Sequence, residues 1–260
     1  TGDNTGSDFV KMVTGDFNND GKLDFANAGY PVTWSKNIDG KGTFSSPITV
    51  APATDDKLCQ DIVAADLDYD GFLDLVCFSY NDNDDGFVIW YKNGGTGTFS
   101  LPIIVATVSK GLALGGLSGA ITDIDGDGFL DIAAGYGASP FLAWYKNNGK
   151  GAFVPMPINV AISSNSHVVT ADFNNDGFLD LAAIGNAGTS GSVVWYKNTD
   201  GKGTFASPIV VAVISGGSGS GYYSLSVGDI DNDGAVDLVA ASTKITSSSP
   251  GNADYSYVLA

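Results

Sequence analysis

The stretch Asp123-Ile-Asp-Gly-Asp-Gly-Phe-Leu-Asp131 decides the fold, because the chain carries five versions of it. Each version has Asp at positions 1, 5 and 9, Asp or Asn at position 3, and Gly at position 6. Successive versions begin 50, 57, 49 and 57 residues apart. In chain order, loops 1 to 5 are residues 16–24, 66–74, 123–131, 172–180 and 229–237. A motif that returns about every 50 residues indicates a chain built from similar structural units.

The side chains of these loops predict a calcium site in each repeat. Ca²⁺ takes about six to eight oxygen ligands, and short Asp and Asn side chains at positions 1, 3 and 5 of a tight loop can all point inward. Gly at position 6 permits a sharp reversal of the chain. Mg²⁺ fits less well, because it demands octahedral geometry and keeps several waters. We therefore expect about five Ca²⁺ ions, one per repeat.

Position 9 is predicted to close each loop. An EF-hand would use Glu at position 12, but the residues there are Asn27, Cys77, Ala134, Ala183 and Ala240. We expect the Asp at position 9 to bind through both carboxylate oxygens, and position 7 to contribute only its backbone carbonyl. The predicted ligands are Asp16, Asn18, Asp20, Lys22 and Asp24; Asp66, Asp68, Asp70, Phe72 and Asp74; Asp123, Asp125, Asp127, Phe129 and Asp131; Asp172, Asn174, Asp176, Phe178 and Asp180; and Asp229, Asp231, Asp233, Ala235 and Asp237.

The alternative is that each loop is only a hairpin turn, since Asp, Asn and Gly are common turn residues. Five copies with the same crowded carboxylates favour the metal, because like charges this close repel without a cation. All 29 acidic residues of the chain are Asp, and the loops hold 18 of them. Five Ca²⁺ ions would bring the net charge from −17 to −7. This acidity, with no basic cluster, argues against nucleic-acid partners and against anionic membrane surfaces. The longest apolar stretches, such as residues 209–214, are too short for membrane insertion.

The residues around each loop predict four short strands per repeat. Apolar stretches precede and follow the loop, and then comes a strand that ends in Trp-Tyr-Lys-Asn, or Trp-Ser-Lys-Asn in the first repeat. After a glycine turn, a stretch of the type Phe…Pro-Ile-x-Val forms the fourth strand in most repeats. The chain has no Glu and no Arg but 35 Gly, so it is poor in good helix formers. The pattern predicts an all-β propeller of four-stranded antiparallel blades.

The loops and strands resemble the FG-GAP/VCBS repeats of extracellular β-propellers over essentially the whole chain. Members of that family carry the pattern Asp-x-Asp-x-Asp-Gly-x-x-Asp between the first two strands of a blade and bind calcium there. The family includes integrin α-chain heads, fungal and bacterial lectins and many secreted bacterial proteins. The resemblance therefore implies the fold and the metal more directly than it implies a function.

We expect one propeller domain over residues 1–260, with five blades of which the last is incomplete. The repeats span 9–53, 59–108, 117–163, 166–214 and 223–260. The fifth has no Phe…Pro-Ile-x-Val strand. Three explanations remain open: the ring closes with a three-stranded blade, the chain is part of a larger propeller, or a neighbouring subunit donates the missing strand.

Other recurring residues allow two interpretations. Trp34, Trp90, Trp144 and Trp195 occupy equivalent places, where they either pack between blades or stack on sugars. The Lys and Asn that follow are expected to face solvent at turns. Cys59 and Cys77 flank loop 2, and a regular hairpin places Cys77 near Val63, about 13 Å along the ladder from Cys59. Two free thiols are therefore predicted, although a bulge could bring them together.

The sequence does not point to an enzyme. His167 is the only histidine, expected at the edge of a loop, and no Ser–His–Asp arrangement is evident. We expect a secreted calcium-binding propeller, because weak carboxylate sites fill at the millimolar calcium found outside cells. It would act as a non-catalytic structural or adhesive module, or as a self-assembling extracellular fibre subunit; a glycan-binding lectin is the alternative. Its partners would be itself, by head-to-tail or strand-donating assembly, or an extracellular glycan or protein.

Overall fold

All regular secondary structure that the computed structural model describes is β-strand. The described residues are 11–51, 57–109, 117–137, 139, 141–162, 164–187, 190–214, 223–245 and 253–259. Within them, nineteen strands form five antiparallel sheets. These sheets confirm the predicted all-β propeller fold with four-stranded antiparallel blades. Across the same ranges, no helix is long and apolar enough to cross a membrane.

The chain divides into two compact units, Thr1–Ser109 and Lys110–Ala260. The first unit contains two four-stranded sheets, each a simple up-and-down meander in chain order. Their strands are β1 (Met12–Gly15), β2 (Asp24–Asn27), β3 (Val32–Ser35) and β4 (Ile48–Ala51), then β5 (Lys57–Ala65), β6 (Asp74–Asn81), β7 (Gly86–Tyr91) and β8 (Ile103–Val108).

The second unit contains two four-stranded sheets and one sheet that has three strands in the described residues. The four-stranded sheets are β9 (Ser118–Thr122), β10 (Asp131–Gly135), β11 (Leu142–Asn147) and β12 (Phe153–Met156), then β13 (Ser164–Ala171), β14 (Asp180–Ala187), β15 (Ser190–Tyr196) and β16 (Ile209–Ile214). The last sheet is β17 (Tyr223–Gly228), β18 (Asp237–Ile245) and β19 (Ala253–Leu259). The expected first strand of blade one, residues 8–13, lies partly outside the described residues.

The middle strands of each sheet carry the core. Every residue of β7 and β10 is buried, and seven of the eight residues of β6 are buried too. Strands covered on both faces are apolar throughout, in contrast to the alternation of a half-exposed strand. The fourth strands differ, because β8 exposes Ile103 and Ile104, and β16 exposes Ile209, Val210, Val211 and Val213. Burial therefore falls from the middle of each blade toward its fourth strand.

Trp34 and Trp144 pack between neighbouring sheets of the same unit. Trp34 and Trp144 are 3% and 0% exposed. A Cβ built on Gly97, in the turn of the next sheet, would lie 2.2 Å from the Trp34 ring, and one built on Gly203 would lie 2.3 Å from Trp144. Each indole thus fills the space above a glycine of the following repeat. This burial supports the packing interpretation and removes these two rings from any sugar-stacking surface.

Polar contacts also join the first strands of neighbouring sheets. They involve the residues five positions before the first four loops: Lys11, Asp61, Ser118 and His167. Lys11 Nζ lies 3.0 Å from Asp61 Oδ2. The Val168 amide donates to Ser118 Oγ at 3.0 Å, and the Leu225 amide donates to His167 Nδ1 at 3.3 Å. His167 therefore lies inside β13 and joins two sheets, and its predicted place at a loop edge was wrong.

Cys59 and Cys77 form a disulfide, so the prediction of two free thiols was wrong. Their Cα atoms are 5.5 Å apart. The ladder pairs Cys77 with Ile62, and its register shifts between Cys59 and Asp61. This β-bulge shortens the path along the ladder, so that the cysteines become diagonal neighbours within bonding reach. Both are buried in the core of the first unit.

Candidate metal centre

Each acidic loop closes the hairpin between the first two strands of its sheet. The strand before the loop ends directly ahead of position 1, and the next strand begins with the Asp at position 9. The glycine at position 6 has a φ between 80° and 90° in the five loops, a backbone conformation that disfavours a side chain. At Gly128 no described atom lies within 4 Å of an added Cβ. Glycine is therefore required there by the backbone angle and not by a lack of space.

The Asp at position 1 holds the loop in shape. In loop 3, Asp123 Oδ1 accepts the amide of Asp127 at 3.1 Å, and Oδ2 accepts the amide of Gly128 at 2.9 Å. The same two bonds recur in the other four loops. Asp127 Oδ1 in turn accepts the amide of Phe129 at 2.9 Å. The backbone amides thus fix the carboxylates at positions 1 and 5 even without a bound cation.

In loops 2 and 3, the Asp at position 3 leaves one carboxylate oxygen unpaired. Asp68 Oδ1 and Asp125 Oδ1 are buried and have no hydrogen-bond partner among the described residues. The Asp125 side chain is only 7% exposed. A buried carboxylate oxygen without a partner costs free energy, because it has lost its water and gained nothing in return. In loops 1 and 4, by contrast, Asn18 and Asn174 donate their amides to the Asp at position 9.

Three loops bring carboxylate oxygens close enough to share one cation. Within each group, one oxygen per residue lies within 4.8 Å of the others. The groups are Asp66, Asp68 and Asp70 in loop 2; Asp123, Asp125 and Asp127 in loop 3; and Asp229, Asp231 and Asp237 in loop 5. The carboxylates at positions 1, 3 and 5 are therefore close together in loops 2 and 3, and those at positions 1, 3 and 9 in loop 5; their role as ligands remains a prediction.

The Asp at position 9 is buried in the first four loops. Asp74 Oδ1 accepts the amide of Asn93 at 2.7 Å, and Oδ2 accepts that of Leu67 at 3.2 Å. Burial raises the pKa of Asp74 and of Asp131 to about 6, although hydrogen bonds to backbone amides act in the opposite direction. Its bidentate binding to calcium remains a prediction.

The lysine of each Trp-Tyr-Lys-Asn or Trp-Ser-Lys-Asn motif binds the loop of its own repeat. Lys146 contacts Asp125 and lies 2.7 Å from Asp127 Oδ2. The equivalent pairs are Lys36 with Asp20 at 2.9 Å, Lys92 with Asp68 and with Asp70 at 3.0 Å, and Lys197 with Asp176 at 3.1 Å. These lysines were predicted to face solvent; their side chains are 36–40% exposed, but the prediction missed their ion pairs with the loops. Their recurrence beside every loop of the first four repeats was the signal available in the sequence.

The asparagine after each lysine was wrongly predicted to face solvent. Asn93 and Asn147 are fully buried. The Asn93 side chain donates to the carbonyls of Leu73 and Phe17 and accepts the amide of Gly95. It therefore connects its own loop, the glycine turn and the loop of the preceding repeat.

The donors present fit calcium. The loops offer Asp and Asn oxygens and backbone carbonyls, which are the ligands that hard cations prefer, and they offer no thiolate. The unpaired oxygens at position 3 are the atoms that such a cation would satisfy. Calcium, when bound, would supply positive charge to each cluster. A stabilising role requires no further chemistry from the ion.

The sequence of the loops and strands agrees with one repeat family. The FG-GAP-like repeat matches residues 16–77, 70–134, 123–183 and 172–240. The chain belongs to the FG-GAP-like repeat family. Each match begins in one acidic loop and extends through the next. The boundaries of the family's repeat therefore lie at the loops and not at the outer strands. No curated protein sequence matches the chain.

Solved structures resemble this FG-GAP-like chain at low identity. One is an Agrocybe aegerita lectin described as recognising non-reducing terminal N-acetylglucosamine, with 19% identity and a TM-score of 0.44 over 95% of this chain and 79% of the lectin. Another is a Photorhabdus luminescens Tc holotoxin pore, with 19% identity and a TM-score of 0.48 over 96% of this chain and 11% of the toxin chain.

Proposed function

We propose that this chain is a calcium-stabilised, non-catalytic propeller that works outside the cell as a structural or adhesive module. The observation that carries the proposal is the pair of buried, unpaired oxygens Asp68 Oδ1 and Asp125 Oδ1, each inside a cluster of three carboxylates. A divalent cation would satisfy those oxygens and offset the repulsion within each cluster.

Calcium would act on the fold, because the loops connect the first two strands of each blade. A ligand that binds only the folded state stabilises it by mass action. The ion would also bear on the neighbouring blade, since Asn93 holds the backbone of loop 1 from the second sheet. We therefore expect calcium to raise the stability of the blades and of the contacts between them together.

Two observations support an extracellular location. A buried disulfide joins Cys59 and Cys77, and such bonds persist mainly in oxidising environments such as the cell exterior. Sites built from several exposed carboxylates bind calcium weakly and fill at the millimolar concentrations outside cells.

The exposed surface favours a structural role in which the chain assembles with further copies of itself. Strand β16 exposes Ile209, Val210, Val211 and Val213, and it lies at the edge of its sheet. An apolar edge strand without charges invites pairing with another strand. A second copy or another extracellular protein is therefore proposed as the partner. Glycan binding, the alternative, would have to use side chains other than the buried Trp34 and Trp144.

Calcium titration by isothermal calorimetry tests the metal. We expect about five ions per chain, and one fewer after Asp125→Ala. Asp82→Ala is the matched control, since it removes the same charge from an exposed residue outside the five loops. Equal binding by the two variants, or no binding by the wild type, would reject the proposed site.

Negative-stain electron microscopy with calcium and with a chelator tests the role. Fibres that dissolve in chelator support the structural subunit. Isolated particles at high protein concentration reject self-assembly and direct the search to a glycan array.

A further inference from the structure

The lysines at the loops contact the carboxylate oxygens that the backbone does not use. In loop 3, Asp127 Oδ1 accepts the amide of Phe129, whereas Asp127 Oδ2 lies 2.7 Å from Lys146 Nζ. Asp125 presents one oxygen to the same ammonium and keeps the other buried and unpaired. The lysine and a bound cation would therefore contact the same two side chains, at positions 3 and 5.

The number of carboxylates held by the lysine differs between the loops. Lys92 and Lys146 each contact two, because position 3 is Asp in loops 2 and 3. Lys36 and Lys197 each bind the Asp at position 5, while position 3 of their loops is Asn. The fifth repeat has four Asp in its loop and no Trp-Tyr-Lys-Asn motif.

We propose that Lys92 and Lys146 are built-in competitors that weaken calcium binding at loops 2 and 3, and that the five sites therefore differ in affinity. This inference rests on the calcium role proposed above and adds how the affinity of each site is set. A positive charge within a few ångströms of a bound divalent cation repels it, and the ion pairs with the lysine must be given up or shared. Loop 5, with four carboxylates and no motif lysine, binds calcium most tightly on the same reasoning.

The decisive variant is Lys146→Met, which removes the charge but keeps the apolar stem. Lys150→Met is the matched control, because Lys150 is exposed in the turn that follows and lies outside the loop contacts. The readout is a titration of Ca²⁺ against a chromophoric chelator, with circular dichroism to check the fold. We expect one site of Lys146→Met to bind Ca²⁺ about tenfold more tightly, and two sites in Lys92→Met/Lys146→Met.

Thermal unfolding in chelator supplies a second readout. There Lys146→Met should unfold at a lower temperature than Lys150→Met, because its carboxylates have lost their only lysine partner among the described contacts. Saturating calcium should remove that difference. Unchanged or weaker calcium binding by Lys146→Met, with the wild type binding normally, overturns this inference alone. A wild type that binds no calcium rejects the proposed function itself.

Discussion

The side-chain amide of Asn93 donates to the backbone carbonyl of Phe17 at 2.8 Å, across 76 residues of sequence. Phe17 is position 2 of loop 1, and Asn93 lies in the next sheet. The second unit repeats this contact, since Asn198 donates to the carbonyl of Ile124 in loop 3 at 2.9 Å. An acidic loop and the contact between two sheets are thus parts of one hydrogen-bond network.

Replacing Asn93 should therefore destabilise more than a single loop. Asn93→Ala leaves the buried carbonyls of Phe17 and Leu73 without this donor, and we expect a loss of about 3 kcal/mol in the free energy of unfolding. Asn83→Ala, in an exposed turn, should cost less than about 0.5 kcal/mol. Urea denaturation in chelator measures both, and equal midpoints would contradict the role given to Asn93.

The backbone requirement at position 6 can be separated from steric space. Gly128→Ala introduces a side chain at φ 89°, and we expect a cost of about 1–2 kcal/mol from backbone strain alone. Gly228→Ala is the control, because its added Cβ also meets no described atom within 4 Å and its φ is not in the left-handed region. Thermal unfolding of the two variants in calcium provides the comparison. A Gly128 variant as stable as the Gly228 variant would refute the argument.

The disulfide should stabilise the first unit. The cysteines are 18 residues apart, a separation for which loop-closure entropy gives about 3 kcal/mol. We expect the wild type to unfold at a lower temperature in reductant, and the double variant Cys59→Ala/Cys77→Ala to show no response to reductant. Mass spectrometry after thiol alkylation provides the independent check, and it should find no free thiol in the oxidised wild type.

Stability should also fall at alkaline pH through Tyr196. Burial raises the pKa of Tyr196 to about 12, although a hydrogen bond from the Ala161 amide acts in the opposite direction. The unfolded chain releases this proton near pH 10, so the folded state holds it over a wider range. The free energy of unfolding therefore decreases as pH rises from about 10 to about 12. Tyr196→Phe should weaken this decrease, and an identical pH profile would refute the assignment.

The sequence predicts the repeat, the sheet order and the position of the loops, because these follow from local spacing. The groups of carboxylates in loops 2 and 3 also follow from the positions of Asp in nine residues. Cys59 and Cys77 could not be paired in this way, since one bulge in β5 changes the register and leaves no mark in the sequence. Contacts between consecutive sheets, such as that of Asn93 with Phe17, join residues far apart in the sequence. They cannot be identified until the fold is known.

Lys146 illustrates a second limit. Its motif places it near the end of β11, where a lysine is usually solvated, and only the folded chain shows that it contacts loop 3. The sequence shows a lysine and a cluster of acidic residues that recur together in the first four repeats. This joint recurrence indicates an electrostatic attraction between them.

The contact between Asn93 and Phe17 also bears on how a chain of this kind can gain or lose repeats during evolution. In both observed contacts one repeat brings the donor, its buried asparagine, and the preceding repeat brings the acceptor, the carbonyl at position 2 of its loop. Duplication of a whole repeat would therefore create a new joint of the same kind and leave the existing ones intact. A segment that is not a whole repeat in length would separate donor from acceptor, so genetic gain or loss in this architecture is expected in units of one repeat.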